Sequence, residues 1–294
     1  MTPAFRAHDP GPGHPESPRR YDAVAAAVTG SGLEIVEPKP ASPEALERVH
    51  DPRLLELVRR LCESGGGAID PDTVVGPPSY EASRLASGAA VAAVNAVLDG
   101  EIESAFCAGR PPGHHAEPSR AMGFCLTNHV AVAAAHARWR EVERVAILDW
   151  DAHHGNGTQA AFWRDPSVLY VSLHQFPHYP GTGTPSERGD GDGEGTTLNL
   201  PLAAGTTEEL FLATFRAMAL PAVQAFDPGL LLVSAGFDAH QDDPLCSLGL
   251  SADAFGVMTA ELAGVGAGQI YVLEGGYDLA ALEQSTAAVL AAAP

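Results

Sequence analysis

The chain has 294 residues, of which 45% are hydrophobic and 18% charged, and its formal net charge is -20 at pH 7. That is enough apolar material for the core of one large α/β domain. The acid excess argues against nucleic acid as a direct partner, and no uncharged apolar run reaches membrane-spanning length. Cys62, Cys107, Cys125 and Cys246 form no Cys-x-x-Cys pair, and residues 1–20 lack the apolar core of a secretory signal. Both features fit reduced thiols in a cytoplasmic protein.

Residues 8–20, rich in Pro, Gly and His, read as loop. An Ala-rich helix is expected from Tyr21 to Thr29, ended by Gly30 and Gly32. Ser42 and Pro43 start another, as N-cap and first helical residue. Leu54 to Cys62 repeats apolar residues at helical spacing, a Pro-containing loop follows, and Ser79 to Leu98 reads as one long helix. From there strands and helices alternate. Short apolar runs at Ala105–Ala108, Val145–Leu148, Val168–Leu173, Leu230–Val233 and Ile270–Leu273 are expected strands. Between them, helices are expected over about Thr127–Arg140, Gln159–Trp163, Glu208–Phe226 and Ala252–Val265, with a last one at the C-terminus and a Gly-rich loop over Pro177–Gly195.

Alternating strands and helices imply a parallel sheet with helices on both faces, read here as a single domain over residues 1–294. Ligands bind such sheets beyond the carboxyl ends of the strands. Those ends carry the chemistry: His114 and His115 after the first run, Asp149, Asp151 and His153 after the second, His174 after the third, Asp238 after the fourth, and Glu274 and Tyr277 after the fifth. Asp149, Asp151 and His153 alternate, so on an extended chain they point the same way. Any one of them taken singly is more often an ordinary strand-end polar residue. Together, Asp151, His153 and Asp238 are a donor set that suits a catalytic Zn²⁺ with one position open. His114 and His115 could serve as base and acid, Asp149 could orient one imidazole, and Tyr277 could donate to a developing oxyanion.

The motifs RPPGHHA, GFC, DWDAHHGNG, SLHQFPHYPGTG, SAGFDAH and EGGY, in this order, resemble the zinc-dependent histone deacetylase and acetylpolyamine amidohydrolase superfamily over nearly the whole chain. Asn156 and Glu274 look like its class II branch, which includes bacterial members. The resemblance implies the arginase/deacetylase fold, with a central, mainly parallel sheet of eight strands. It implies one Zn²⁺ on Asp151, His153 and Asp238, His115 as general base and acid, His114 as its electrostatic partner paired with Asp149, and Tyr277 polarising the acetyl carbonyl. Phe124 and Tyr179, with Gly123, Leu245 and Gly275, would form the substrate channel. K⁺ would lie at Asp149, Asp151, His153, Ser172 and Leu173, and a second K⁺ at Phe162, Asp165 and Val168.

The sequence departs from the family in three respects. The family usually begins with a strand that has no counterpart here, so an edge strand is expected to be missing. Leu245 stands where polyamine-selective relatives often carry an acidic gatekeeper, although Asp242 and Asp243 are close in sequence. A long insertion by which some acetylpolyamine enzymes dimerise is absent, which leaves the oligomeric state open. The two-manganese arginase branch would need carboxylates about where Gly155 and His240 stand. The expected activity is hydrolysis of an acetylated amine: first the acetyl-lysine of a peptide or protein, second an acetylated polyamine or other small amine. The competing reading of another class is a non-catalytic acyl-lysine binder.

Overall fold

The computed structural model describes all residues, Met1–Pro294. Eight strands occur in chain order: β1 (Gly67–Ala68), β2 (Val74–Val75), β3 (Ser104–Cys107), β4 (Val145–Asp149), β5 (Val168–Gln175), β6 (Thr197–Leu202), β7 (Leu230–Ala235) and β8 (Gly268–Leu273). Six of them form one parallel sheet in the order β3-β8-β7-β4-β5-β6. The expected eight-stranded sheet is therefore corrected to six. β1 and β2 pair only with each other, as a short antiparallel ribbon around the Asp70–Thr73 turn. Residues 33–38 carry no strand, and Leu33, Ile35 and Val36 are exposed.

The central strands are apolar because both faces are covered. Every residue of β4, β5 and β7 is buried. Alternate side chains go to opposite layers. Ala146 and Leu148 of β4 pack with Leu231, Val233 and Phe255 on one side. Val145 and Ile147 pack with Val130, Ala134 and Leu232 on the other.

The helices stand close to where periodicity and caps place them: Pro18–Gly30, Pro43–Glu47, Pro52–Glu63, Ser79–Leu98, His129–Trp139, Asn156–Phe162, Ala252–Leu262 and Leu279–Ala292. Ser42 caps the second of these through the N–H of Ala45. The helix expected over Glu208–Phe226 contains a π-helical stretch at Phe215–Ala219. β6 falls in a segment that periodicity left unassigned. Its TLNLPL sequence contains Pro201, which is tolerated because β6 is the last strand of the sheet.

The strand order has one functional consequence. From β4 the chain moves outward through β5 and β6, then returns to place β7 on the other side of β4. The order of connection reverses between β4 and β7, the position where open α/β sheets form a crevice. Asp149 pairs in register with Ser234, so the residues after β4 and after β7 leave the sheet side by side.

Candidate active site

The chain turns sharply after β4 and needs glycine to do so. A Cβ on Gly155 would lie 2.4 Å from Asp149 Oδ2 and 2.6 Å from the Tyr170 hydroxyl, and one on Gly157 would lie 2.3 Å from the Ala116 carbonyl. The turn brings Asp151 and His153 against Asp238. His153 Nδ1 is 2.8 Å from Asp238 Oδ2 and 3.2 Å from Asp151 Oδ1. A tetrahedral ion with bonds of about 2.0–2.1 Å holds its donors about 3.3 Å apart, so the three groups need spread only slightly around one. Backbone donors fix both carboxylates: Ala152 N–H donates to Asp238 Oδ1 (2.7 Å) and Gly275 N–H to Asp151 Oδ2 (2.8 Å).

This cluster concentrates negative charge. Asp149, Asp151 and Asp238 are completely buried together. Burial, and then the negative Asp151, push the Asp238 carboxyl up to about 7. Burial also raises Asp149, against the pull of His114. Burial opposes ionisation of Asp151 too, but His114 and His153 outweigh it and hold that carboxyl low. Two carboxylates and an imidazole that share too little positive charge fit a divalent ion, and this donor set suits zinc.

The two adjacent histidines are held differently. His114 Nδ1 is 3.1 Å from Asp149 Oδ2, which also accepts from the Tyr170 hydroxyl at 3.1 Å. Burial works against charge on His114, but Asp151 and Asp149 prevail and push it up to about 10. His115 Nδ1 is 2.8 Å from Asn156 Oδ1. The Asn156 amide donates to Glu117 Oε1 (2.8 Å), so its oxygen is left to accept from His115. His115 is therefore N–H at Nδ1, with its lone pair at Nε2. Burial, and then the charges of His114 and His153, hold it well below the usual histidine range.

A pocket of about 230 Å³ opens above these groups, lined by Asp72, His115, Gly123, Phe124, His153, His178, Tyr179, Leu245 and Tyr277. Gly123 packs flat on the His115 ring, where a Cβ would come within 2.5 Å. Phe124 follows at φ 68, a left-handed conformation unfavourable to a bulky residue. It is held there by its N–H donating to Thr73 Oγ1 (3.1 Å) and by edge contact with His14 (4.7 Å). Its ring lies 5.8 Å from that of Tyr277, and the Tyr179 ring lies 5.1 Å from that of His115. Burial keeps the Tyr277 phenol protonated, well above its ordinary value.

Of the expected channel residues, Gly275 stands elsewhere. It is buried behind the metal-type ligands, where a Cβ would lie 2.4 Å from Asp238 Oδ2. Asp149 and Ser172 are in register on β4 and β5, with Leu173 next along β5. Phe162, Asp165 and Val168 follow one another through a turn, Asp165 N–H donating to Phe162 O and Val168 N–H to Asp165 O.

Residue reasoning gave no role to Glu16, Arg20 or Arg110. Arg110 grips both oxygens of Glu16 (2.6 and 2.7 Å). Arg20 bonds Glu16 (3.0 Å), the carbonyls of Glu274 and Gly276 (2.6 Å for the latter), and covers the Tyr277 ring at 5.0 Å. The N-terminal loop and helix thus brace the strand end that carries Tyr277. Glu274 accepts from the N–H groups of Gly113 (2.6 Å) and His114 (3.0 Å), fixing the histidine loop. Arg20 and Glu16 are an i,i+4 pair, but no local pattern marks the other contacts, whose partners lie 94 to 256 residues apart.

Residues 14–293 match the histone deacetylase domain family. The chain is 43% identical over 278 residues to the histone deacetylase-like amidohydrolase of Pseudomonas aeruginosa, covering 90% of this chain and 73% of that protein. It is similar to the crystal structure of the HDA15 HD domain (TM-score 0.96, 34% identity, 99% of this chain and 85% of that one). It is also similar to that of an acetylpolyamine aminohydrolase from Burkholderia pseudomallei (TM-score 0.91, 31% identity, 99% and 97%).

Proposed function

The chain belongs to the histone deacetylase family of amide hydrolases, and from that premise we propose that it removes the acetyl group from the lysine side chain of a peptide or protein. The observation that carries this reading is the meeting, around one narrow pocket, of a buried Asp151, His153 and Asp238 set, a neutral His115 and the Tyr277 phenol. Asp151, His153 and Asp238 would hold one zinc ion. When bound, zinc supplies a Lewis acid that acidifies water and polarises the acyl oxygen.

The remaining steps fall to the chain's own groups. His115 Nε2 takes the proton of the attacking water and later delivers it to the leaving amine. His114, kept charged by Asp149 and Asp151, holds its neighbour neutral and able to accept. Two adjacent imidazoles pushed apart in this way divide the labour of electrostatics and proton transfer. The Tyr277 hydroxyl donates to the acyl oxygen as negative charge develops there. Phe124 and Tyr179 enclose the apolar stem, with Gly123 keeping that wall thin. The products are a free amine and acetate.

Potassium at Asp149, Asp151, His153, Ser172 and Leu173, and at Phe162, Asp165 and Val168, belongs to the same proposal and rests on the family resemblance. A cytoplasmic location is part of the same proposal and rests on cysteine usage, since four free cysteines suit it. No helix is long and apolar enough to cross a membrane.

A specific observation favours a second reading, an acetylated polyamine as substrate: the Asp72 carboxylate lines the pocket, where it would attract a distal ammonium group. Asp243 is buried and does not line the pocket; its oxygens accept from the N–H groups of Leu245 (2.9 Å) and Tyr277 (2.7 Å). The deciding experiment compares kcat/KM of the zinc-loaded protein on an acetyl-lysine peptide and on N-acetylputrescine. Preference for the peptide supports the first reading, preference for the amine moves the assignment to polyamines, and hydrolysis of neither refutes both.

A further inference from the structure

His115 can accept a proton at Nε2 only while one amide faces the right way. Asn156 Oδ1 lies 2.8 Å from His115 Nδ1. If that amide turned over, its NH₂ would meet Nδ1, which could then only accept. The ring proton would move to Nε2, and the nitrogen left for the reaction would have no lone pair. The two ends of an asparagine amide have nearly the same shape, so the choice falls to hydrogen bonds and not to packing. Asn156 Nδ2 is 2.8 Å from Glu117 Oε1, and 3.4 Å from both the His115 carbonyl and Met122 Sδ. Only the carboxylate is close. A carboxylate accepts and never donates, so it pairs with the NH₂ and repels the amide oxygen.

The backbone of Glu117 is itself held in place. Glu117 opens a tight turn, its N–H donating to the Arg120 carbonyl (2.9 Å), and the N–H of Asp51 donates to the carbonyl of Pro118 (2.8 Å). The buried His50 adds a third tie. Its Nε2 lies 2.8 Å from the nitrogen of Asn128, and a backbone N–H can only donate, so Nε2 accepts and the ring proton sits on Nδ1. Nδ1 then donates to the Glu117 carbonyl (3.1 Å). His50, Glu117, Asn156 and His115 thus form one hydrogen-bonded run, from the junction of the Pro43–Glu47 and Pro52–Glu63 helices to the pocket. Glu117 is half-buried and is not among the residues that line the pocket.

We propose that Glu117 is a positioning residue for His115: its carboxylate locks the Asn156 amide, so that His115 keeps its proton on Nδ1 and its lone pair on Nε2. The orientation follows from the hydrogen bonds, and its value for turnover rests on the deacetylation proposed above. A side chain at position 117 acts by whether it accepts or donates. One that accepts supports the base. One that can only donate draws the amide oxygen outward, turns the NH₂ to His115 and disables it. Because Glu117 lies outside the pocket, the effect falls on kcat and not on KM.

The test compares Glu117→Gln with Glu117→Lys in the zinc-loaded protein. Both are long, flexible replacements for a half-buried side chain. Gln can accept through its amide oxygen, whereas Lys can only donate. On the acetyl-lysine peptide, Glu117→Gln should keep kcat within about threefold, and Glu117→Lys should lower it by about tenfold or more with KM little changed. In an Asn156→Ala background the two replacements should no longer differ, because the amide they act through is gone. Nitrogen NMR signals of the histidine rings supply a readout besides turnover, with those of His115 identified by their loss in His115→Ala. They should place the proton on Nδ1 in the parent and in Glu117→Gln, and on Nε2 in Glu117→Lys. Equal kcat in the two variants, a difference that persists without Asn156, or a proton that stays on Nδ1 in Glu117→Lys would overturn the lock. A proton that moves as expected, in a protein that hydrolyses neither the peptide nor N-acetylputrescine, would support the lock and refute the reaction.

Discussion

His115 meets the carboxamide of Asn156 at 2.8 Å, whereas His114 meets the carboxylate of Asp149 at 3.1 Å. The two neighbours thus differ in the charge of their partner. A carboxylate stabilises an imidazolium, and an amide oxygen orients the ring with much less pull on its proton. In the proposed mechanism, this difference suits His114 to be the fixed charge and His115 to be the group that exchanges a proton.

Asn156→Asp should therefore raise the affinity of His115 for its proton. The base must be neutral to accept, so the acidic limb of the kcat/KM profile should move to higher pH, by about one unit. A limb that stays in place would mean that another group limits the rate there. His115→Ala should be nearly inactive across the whole profile, and restoration by added metal alone would show that its loss had acted through the metal site.

Tyr277→Phe removes one donor and leaves the metal-type ligands untouched. Turnover should fall by about 10²- to 10³-fold while zinc content stays at one per chain. Metal analysis alongside kcat checks this, and undiminished turnover would remove Tyr277 from the mechanism.

Zinc should stabilise the protein more at neutral than at acid pH. In the metal-free protein the Asp238 carboxyl keeps its proton up to about 7, against an ordinary value of 3.8. Between those values the unfolded chain binds fewer protons than the folded one, so this group's contribution to stability falls as pH rises. An ion that takes the proton's place reverses that loss. The difference in Tm between zinc-loaded and metal-free protein should widen from about pH 5 to about pH 7.5, and a constant difference would contradict the assignment of Asp238 as a ligand.

Gly155→Ala should damage the fold and the site together. The new methyl would lie 2.4 Å from Asp149 Oδ2 and 2.6 Å from the Tyr170 hydroxyl, both buried. Overpacking of this kind costs about 1–3 kcal/mol, and the shift of Asp149 would loosen His114 as well. Denaturant midpoints and kcat should both fall. Stability without loss, with full activity, would mean that the turn can relax at no cost.

Local rules alone reach the strand-end residues. A strand repeats every two residues, so Asp149, Asp151 and His153 can be placed on one side from their spacing, and the glycines after them mark the turn. Parallel strands put their carboxyl ends together, which brings Asp238, Tyr277 and the histidine pair to the same edge before any strand order is known. Only the tertiary structure decides that β7 lies directly beside β4, so that Asp238 closes on His153. The same holds for the six-stranded sheet, with the Gly67–Ala68 and Val74–Val75 ribbon outside it, because ladder pairing depends on which backbone edges meet. The partners of the site residues were equally invisible: Asn156 for His115 and Arg20 behind Tyr277. Each of these contacts joins segments far apart in the chain and depends on a few ångströms of packing, whereas sequence periodicity reports only which way a side chain points within its own element.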